Sequence, residues 1–213
     1  MPNEPTAQPD RHTRRLRIIL LVTGVAVALA VGGGWVLHDR YVVGRFHEMI
    51  PGELYHCRQP HPPQWWILDH YHIRRVINLR AEVEDADTFA EERRICREAG
   101  VDFVHIPVSA LLPTDRQIAR FLHAVRSRPG AVLWHCEHGR HRTSFMKAAY
   151  RVLVQEWAPE RAVAEMADND ARPEGEKRAK TFAILRRLRD NRDEWLARTA
   201  PDAPAPPRAE PAE

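Results

Sequence analysis

Cys136 closes an apolar run, Ala131-Val132-Leu133-Trp134-His135, and Arg142 and Thr143 follow it at positions six and seven. Between them lie Glu137, His138, Gly139, Arg140 and His141. The spacing predicts a strand ending at the cysteine, a short loop with one glycine, and a helix opening near the arginine. Successive backbone N–H groups in such a loop converge on an anion, and the helix N-terminus adds partial positive charge. Gly139 admits a turn that a Cβ would hinder. The planar fork of Arg142 matches two oxygens of a phosphoryl group. Thiols at helix N-termini beside cations ionise at roughly 3.5–7.5 instead of about 8.5, so a sulfur here is primed as a nucleophile. The chemistry expected is phosphoryl transfer through a phosphocysteine that water then hydrolyses. Thr143 is expected to hydrogen-bond the sulfur as it departs. The loop amides and Arg142 supply the charge stabilisation, so neither metal nor cofactor is called for.

Other readings compete at these positions. A single cysteine is more often a small buried hydrophobe than a nucleophile, but here it ends a strand and has the arginine behind it. His135, His138 and His141 with Cys136 are candidate metal ligands, although a tight loop suits such a set poorly. His135 is expected to orient the loop from behind. A loop that binds phosphate without turning it over is a further alternative.

The elements that must hold this loop are legible as alternating patterns. Short apolar, β-branched runs at 53–57, 75–79, 101–106 and 131–135 predict strands. Helical spacing fills the gaps: 85–99, with Phe89, Arg93 and Cys96 on one face; 114–128, opened by the N-cap Thr114; 142–157; a helix begun by Pro159; and 176–195. The alternation predicts an α/β fold, a mostly parallel sheet of four or five strands flanked by helices. Ligands of such sheets bind at the carboxyl ends of the strands, where Cys136 lies.

The segment His135-Cys136-Glu137-His138-Gly139-Arg140-His141-Arg142-Thr143-Ser144 resembles the His-Cys-x5-Arg-Thr signature of the protein tyrosine and dual-specificity phosphatase superfamily. Upstream, Leu54-Tyr55-His56-Cys57-Arg58-Gln59-Pro60 resembles the "LYRSxQP" element of the small atypical dual-specificity group of bacteria, fungi and plants. Val76-Ile77-Asn78-Leu79-Arg80 is similar to its "VINLR" strand. Ser144 departs from the glycine usual after the threonine, and Cys57 from the usual serine. The resemblance implies that Cys136 is the nucleophile and that Arg142, with Glu137 to His141, binds the phosphoryl group. It also implies a general acid on the loop 106–115, whose one carboxylate is Asp115. An acid in a first helical turn is equally ordinary dipole matching. The implied substrates are phosphotyrosine, phosphoserine or phosphothreonine; the cationic Arg140-His141 pair is similar to a pair in the inositol-pyrophosphate-cleaving branch and keeps lipid or inositol (pyro)phosphates open.

Ile18 to Leu37 is an uncharged run of twenty residues, and a helix of that length crosses a hydrocarbon layer about 30 Å thick. Arg11, Arg14, Arg15 and Arg17 precede it, and Arg40 and Arg45 follow. That bias predicts a single-pass anchor at 16–37 with a cytoplasmic N-terminus and an extracytoplasmic domain over 40–198. A secretory signal cleaved at Ala28-Leu29-Ala30 is the alternative. Residues 1–15 and the Pro/Ala-rich stretch 199–213 read as disordered. The net charge is +3, with acids and bases interspersed and no basic run carrying aromatics, a pattern that argues against nucleic acid as a partner. Three cysteines, Cys57, Cys96 and Cys136, exclude a disulfide framework. In an oxidising compartment Cys57 or Cys96 would be placed to trap Cys136 as a reversible disulfide.

Overall fold

The side-chain alternation of the four apolar runs divides them between two cores, and this sets the architecture of the computed structural model, which describes residues 11–81, 86–109, 112–127 and 129–200. The strands are β1 (His47–Ile50), β2 (Leu54–Arg58), β3 (Ile73–Asn78), β4 (Asp102–His105) and β5 (Ala131–Cys136). They form one sheet in the order β1-β2-β5-β3-β4. β2, β5, β3 and β4 run parallel, and β1 pairs antiparallel with β2 at the edge. Four of these were expected. β1 is too short and polar to announce itself, and it exists because the turn at Pro51-Gly52, with Gly52 at φ +75°, folds it back on β2.

Leu54, Ile77, Val132 and Trp134 face one core; Tyr55, Cys57, Val76 and Leu133 face the other. The first core is completed by helices α4 (Asp115–Arg126), α5 (His141–Leu153), α6 (Pro159–Glu165), α7 (Gly175–Asp190) and α8 (Arg192–Arg198). The second is closed by the short α2 (Ile67–His70) and by α3 (Ala86–Glu98). α5 is buried without interruption from Thr143 to Tyr150. Even Lys147 is enclosed there, its amine 3.7 Å from the Glu165 carboxylate.

Three expectations for the sheet-bearing unit need correction. The helix expected over 176–195 is two helices. Asn191, at φ −111° and ψ 28°, turns its side-chain amide back to the Arg187 carbonyl at 2.9 Å, and the chain redirects so that Trp195 buries. The buried polar residue on α3 is Glu92, whereas Arg93 is exposed. Thr199, expected in the disordered tail, is fully buried as the C-cap of α8, and Arg126 binds its carbonyl and hydroxyl at 3.0 and 2.9 Å. The rest of that tail, 201–213, lies outside the described residues.

The chain divides into two units, Met1–Val42 and Val43–Glu213. The first contains α1 (Arg11–Tyr41), in which Arg14–Gly34 is long and apolar enough to cross a membrane by length and composition. A signal sequence passes the same test. Residues 11–15, expected to be disordered, are helical, in keeping with the helix propensity of arginine; residues 1–10 lie outside the described residues.

His56 on β2 is 1% exposed, with its ring 5.4 Å from Trp134 and 5.0 Å from His47. Burial, then the nearby Lys147, His47 and Arg151 charges, push its pKa down to about 2. The unfolded chain takes this proton near pH 6.5 and the fold refuses it, so the stabilisation is complete above that pH and erodes below it. The loss is expected to reach about 1.4 kcal/mol per pH unit between the two values. Urea unfolding at pH 7.5 and 5.0 measures it. His56→Gln should lose less on acidification than the parent, and an equal loss would remove His56 as the cause.

Candidate active site

The carboxyl ends of β2, β3 and β5 meet at Arg58, Asn78 and Cys136, where parallel strands leave their last carbonyls and amides to the loops. After Cys136 the chain leaves the sheet for four residues and enters α5 at His141. The turn depends on Gly139, which sits at φ +66°. A Cβ there would lie 2.6 Å from the Arg58 amide nitrogen and 2.8 Å from the Cys57 carbonyl carbon, both backbone atoms with little room to retreat. The Gln59 amide donates to the Glu137 carbonyl at 3.0 Å and fastens the loop to the end of β2.

α5 opens at Arg140, whose φ of −107° and ψ of −102° lie outside the helical region, and no side chain caps it. The first amides of the helix are therefore left to whatever enters the loop. At that helix end the Thr143 hydroxyl donates to the Cys136 sulfur at 3.1 Å, with both residues almost wholly buried. Arg142 directs Nη1 toward the Leu79 carbonyl at the end of β3, at 3.4 Å. The loop histidines diverge. His138 lies 3.5 Å from Glu137, and His141 accepts from the Lys177 amine at 3.1 Å. Burial, then Lys177, Arg140, Arg142 and His138, hold the His141 pKa below its usual value, which suits an acceptor. Among the described residues no three His, Cys, Asp or Glu side chains converge as metal ligands do.

His135 carries the loop from beneath. Its Nε2 donates to Glu92 at 2.7 Å, and its Nδ1 lies 3.3 Å from the Cys136 carbonyl oxygen. Glu92 also accepts from Gln59 at 3.0 Å and from Asn78 at 2.7 Å. Burial opposes charge on this carboxyl, but attraction to His135 and the three donors outweigh it and hold its pKa below the usual range. One carboxylate from α3 thus binds the ends of β2, β3 and β5 together. Sequence reading missed it. The available signal was Glu92 at helical spacing between Phe89 and Cys96, a carboxylate on an apolar face.

Asp115 stands in the first turn of α4 behind the capping box of Thr114 and Gln117. Its carboxylate is half exposed and ion-paired with Arg187 of α7. All three cysteines are free and buried. Burial, then Glu92 and Cys136, push the Cys57 thiol well up; burial, then Glu92, takes Cys96 to about 12. Both are poor thiolates for disulfide exchange.

Two outcomes follow from this geometry. Gly139→Ala is expected to abolish orthovanadate binding while circular dichroism reports an intact fold, because the added carbon meets strand backbone. Glu92→Ala, which strands His135 and two amides, is expected to cost about 3–5 kcal/mol in urea unfolding, and Glu92→Gln about 1–3. The opposite order of those two variants would contradict the network.

Residues 62–184 match the family model described as DSP-PTPase phosphatase fused to NAD+ kinase. The dual specificity protein phosphatase TpbA of Pseudomonas aeruginosa (strain UCBPP-PA14) is 30% identical over 115 residues, 53% of this chain and 49% of TpbA. The chain thus spans about half the length of the curated relatives it matches. Among solved structures, that of P. aeruginosa TpbA covers 70% of this chain and 90% of its own, with a TM-score of 0.55 and 24% identity. The core catalytic domain of the PP-IP phosphatase SIW14 from S. cerevisiae, in complex with citrate, covers 73% and 97%, at 0.57 and 15%. PTPMT1 in complex with PI(5)P covers 73% and 99%, at 0.54 and 20%. These likenesses below 25% identity carry the fold, and the family match, which takes in the whole strand–loop–helix segment and more than half of the chain, carries the assignment: the protein belongs to the DSP-PTPase family, within the atypical dual-specificity cysteine phosphatases.

Proposed function

We propose that the chain hydrolyses phosphate monoesters without a metal, through a phosphocysteine on Cys136. The observation that carries this reading is a buried sulfur at the uncapped start of α5 with the Thr143 hydroxyl 3.1 Å away. The Cys136 thiolate attacks phosphorus, the P–O bond to the leaving group breaks, and the departing oxygen takes a proton. Water then attacks phosphorus, the P–S bond breaks, and inorganic phosphate leaves as Thr143 stabilises the returning thiolate. Amides of residues 137–142 and the Arg142 fork hold the equatorial oxygens, which carry the charge in the transition state. Arg142 turns from the Leu79 carbonyl to do so. His135 keeps the loop in register through Glu92.

Asp115 is the proposed proton donor, and it must first leave Arg187. Protonating the leaving group is worth roughly 10²–10⁴-fold, a gain that falls away for leaving groups that are already stable anions. Phosphotyrosine and phosphoserine or phosphothreonine on proteins are the proposed substrates, in line with the dual-specificity relatives and with a TpbA structure in complex with pTyr. A lipid or inositol phosphate is a second reading, supported by Lys177, Arg140 and His138 around the loop and by the apolar α1. In this proposal α1 is a single-pass anchor with a cytoplasmic N-terminus, and the phosphatase unit is extracytoplasmic.

The full chain in detergent, assayed in EDTA with para-nitrophenyl phosphate, tests the mechanism. Cys136→Ser is expected to be inactive, and Arg142→Ala to lose at least about 10²-fold in kcat, the scale of a lost oxyanion donor. Full activity in either variant would overturn the reading. Asp115→Asn should slow phenyl phosphate far more than para-nitrophenyl phosphate. Equal effects on the two esters would dismiss Asp115 as the acid.

A further inference from the structure

His141 opens α5, next to Arg142 and two residues before the threonine that holds the Cys136 sulfur. Its ring stands among positive charges. Lys177 of α7 reaches it from outside the loop, with Nζ 3.1 Å from Nδ1, and Arg140, Arg142 and His138 act on it from the loop side. The carboxylates of the elements around α5 are engaged elsewhere. Asp170 is held by Arg45 and Arg140, Glu137 lies near His138, and Glu176 pairs with Lys180. Glu165 of α6 is taken by Lys147 and Arg151, and Asp115 of α4 by Arg187. Among the described residues no carboxylate pairs with His141 or with Lys177, and their one polar side-chain contact is with each other.

An ammonium carries three donors and no acceptor, so this hydrogen bond exists only while Nδ1 keeps its lone pair. The contact therefore selects one form of the ring: neutral, with the proton on Nε2. An imidazolium in its place would lose the bond to Lys177 and would set a cation on the positive end of α5 beside two guanidiniums. Burial, then Lys177 and the loop charges, hold the His141 pKa below its usual value, in the same direction. The lysine is placed by its own helix. Thr181, fully buried one turn on, donates to the Lys177 carbonyl at 2.8 Å, and α7 packs on α5 through the first core.

We propose that Lys177 is a positioning residue of the active site: it fixes His141 as the neutral Nε2–H tautomer in the first turn of α5, so that the charge of the loop does not change through His141 over the range in which histidines titrate. A ring that could protonate would give the loop one more positive charge in acid than in base. Lys177 replaces that variable charge by a permanent one, and the attraction for a phosphoryl group stays even. The inference rests on the phosphocysteine reading for its kinetic consequence; the tautomer stands without it.

The test has a spectroscopic arm and a kinetic arm, both on the full chain in detergent. In the first, the chain is labelled with [15N]histidine, and the His141 ring resonances are identified by their loss in His141→Gln. The parent is expected to show a bare Nδ1 and a protonated Nε2, with a protonation midpoint below the ordinary value of about 6.5. Lys177→Met is expected to raise that midpoint, and Lys177→Arg, which still donates, to keep it low. A proton on Nδ1 in the parent, or one midpoint in all three chains, would overturn the proposal. In the second arm, kcat/KM for para-nitrophenyl phosphate is measured at pH 7.5 and 5.5 and divided by that of the parent, which cancels the ionisation of the ester. Lys177→Met is expected to fall about threefold at pH 7.5, the scale of one unit charge acting through water-like surroundings. The loss should lie in KM and shrink at pH 5.5, where a protonated His141 supplies the missing charge; Lys177→Arg should match the parent at both. A loss in Lys177→Met of the same size at the two pH values would reduce Lys177 to packing and refute the positioning role. If the parent does not hydrolyse the ester, the phosphatase reading fails and the ring resonances alone decide the pair.

Discussion

The contact between Gly139 and the strand backbone at Cys57 and Arg58 is the constraint around which the site is arranged. The loop has to turn within four residues, and it can do so here only by resting directly on the end of β2. That close approach fixes the height of the loop above the sheet, and with it the position of the Cys136 sulfur against the first turn of α5. The Gln59 to Glu137 hydrogen bond locks the same distance from the other side. The loop after β5 is thus less a flexible connection than an extension of the sheet.

Beneath it, Glu92 performs a task that hydrophobic packing does not. Three parallel strands end at the site, and their terminal polar groups lose their regular ladder partners there. A carboxylate with two oxygens accepts from His135, Gln59 and Asn78 at once, so each strand end has a partner beneath the loop. The arrangement keeps the Glu92 charge beneath the loop, away from the helix end that Arg142 and Lys177 flank.

Much of this was legible in the sequence because it is local. Cys136 to Thr143 forms a continuous segment whose strand, glycine turn and helix start follow from residue order, and the strands β2 to β5 follow from alternation. What was not legible depends on distance along the chain. Glu92 meets partners 14, 33 and 43 residues away, and helical spacing alone offered Arg93 for the same face with no means of choosing. β1 required knowing that β2 had an open edge. The break at Asn191 required knowing that Trp195 had a core to enter. Asp115 was found by the position of its loop, and its partnership with Arg187 arises from the packing of α4 against the helical layer, which no short motif encodes.

The uninterrupted burial of α5 has a further consequence. The helix whose uncapped end follows the Cys136 loop is also the axle of the helical layer, with α4, α6, α7 and α8 all resting on it. Loosening any of them moves the axle, and the amides at its tip move with it. Warming the protein should therefore leave no interval in which a folded body persists with a slack loop: the order of the Cys136 loop and the integrity of the helical layer melt as one event.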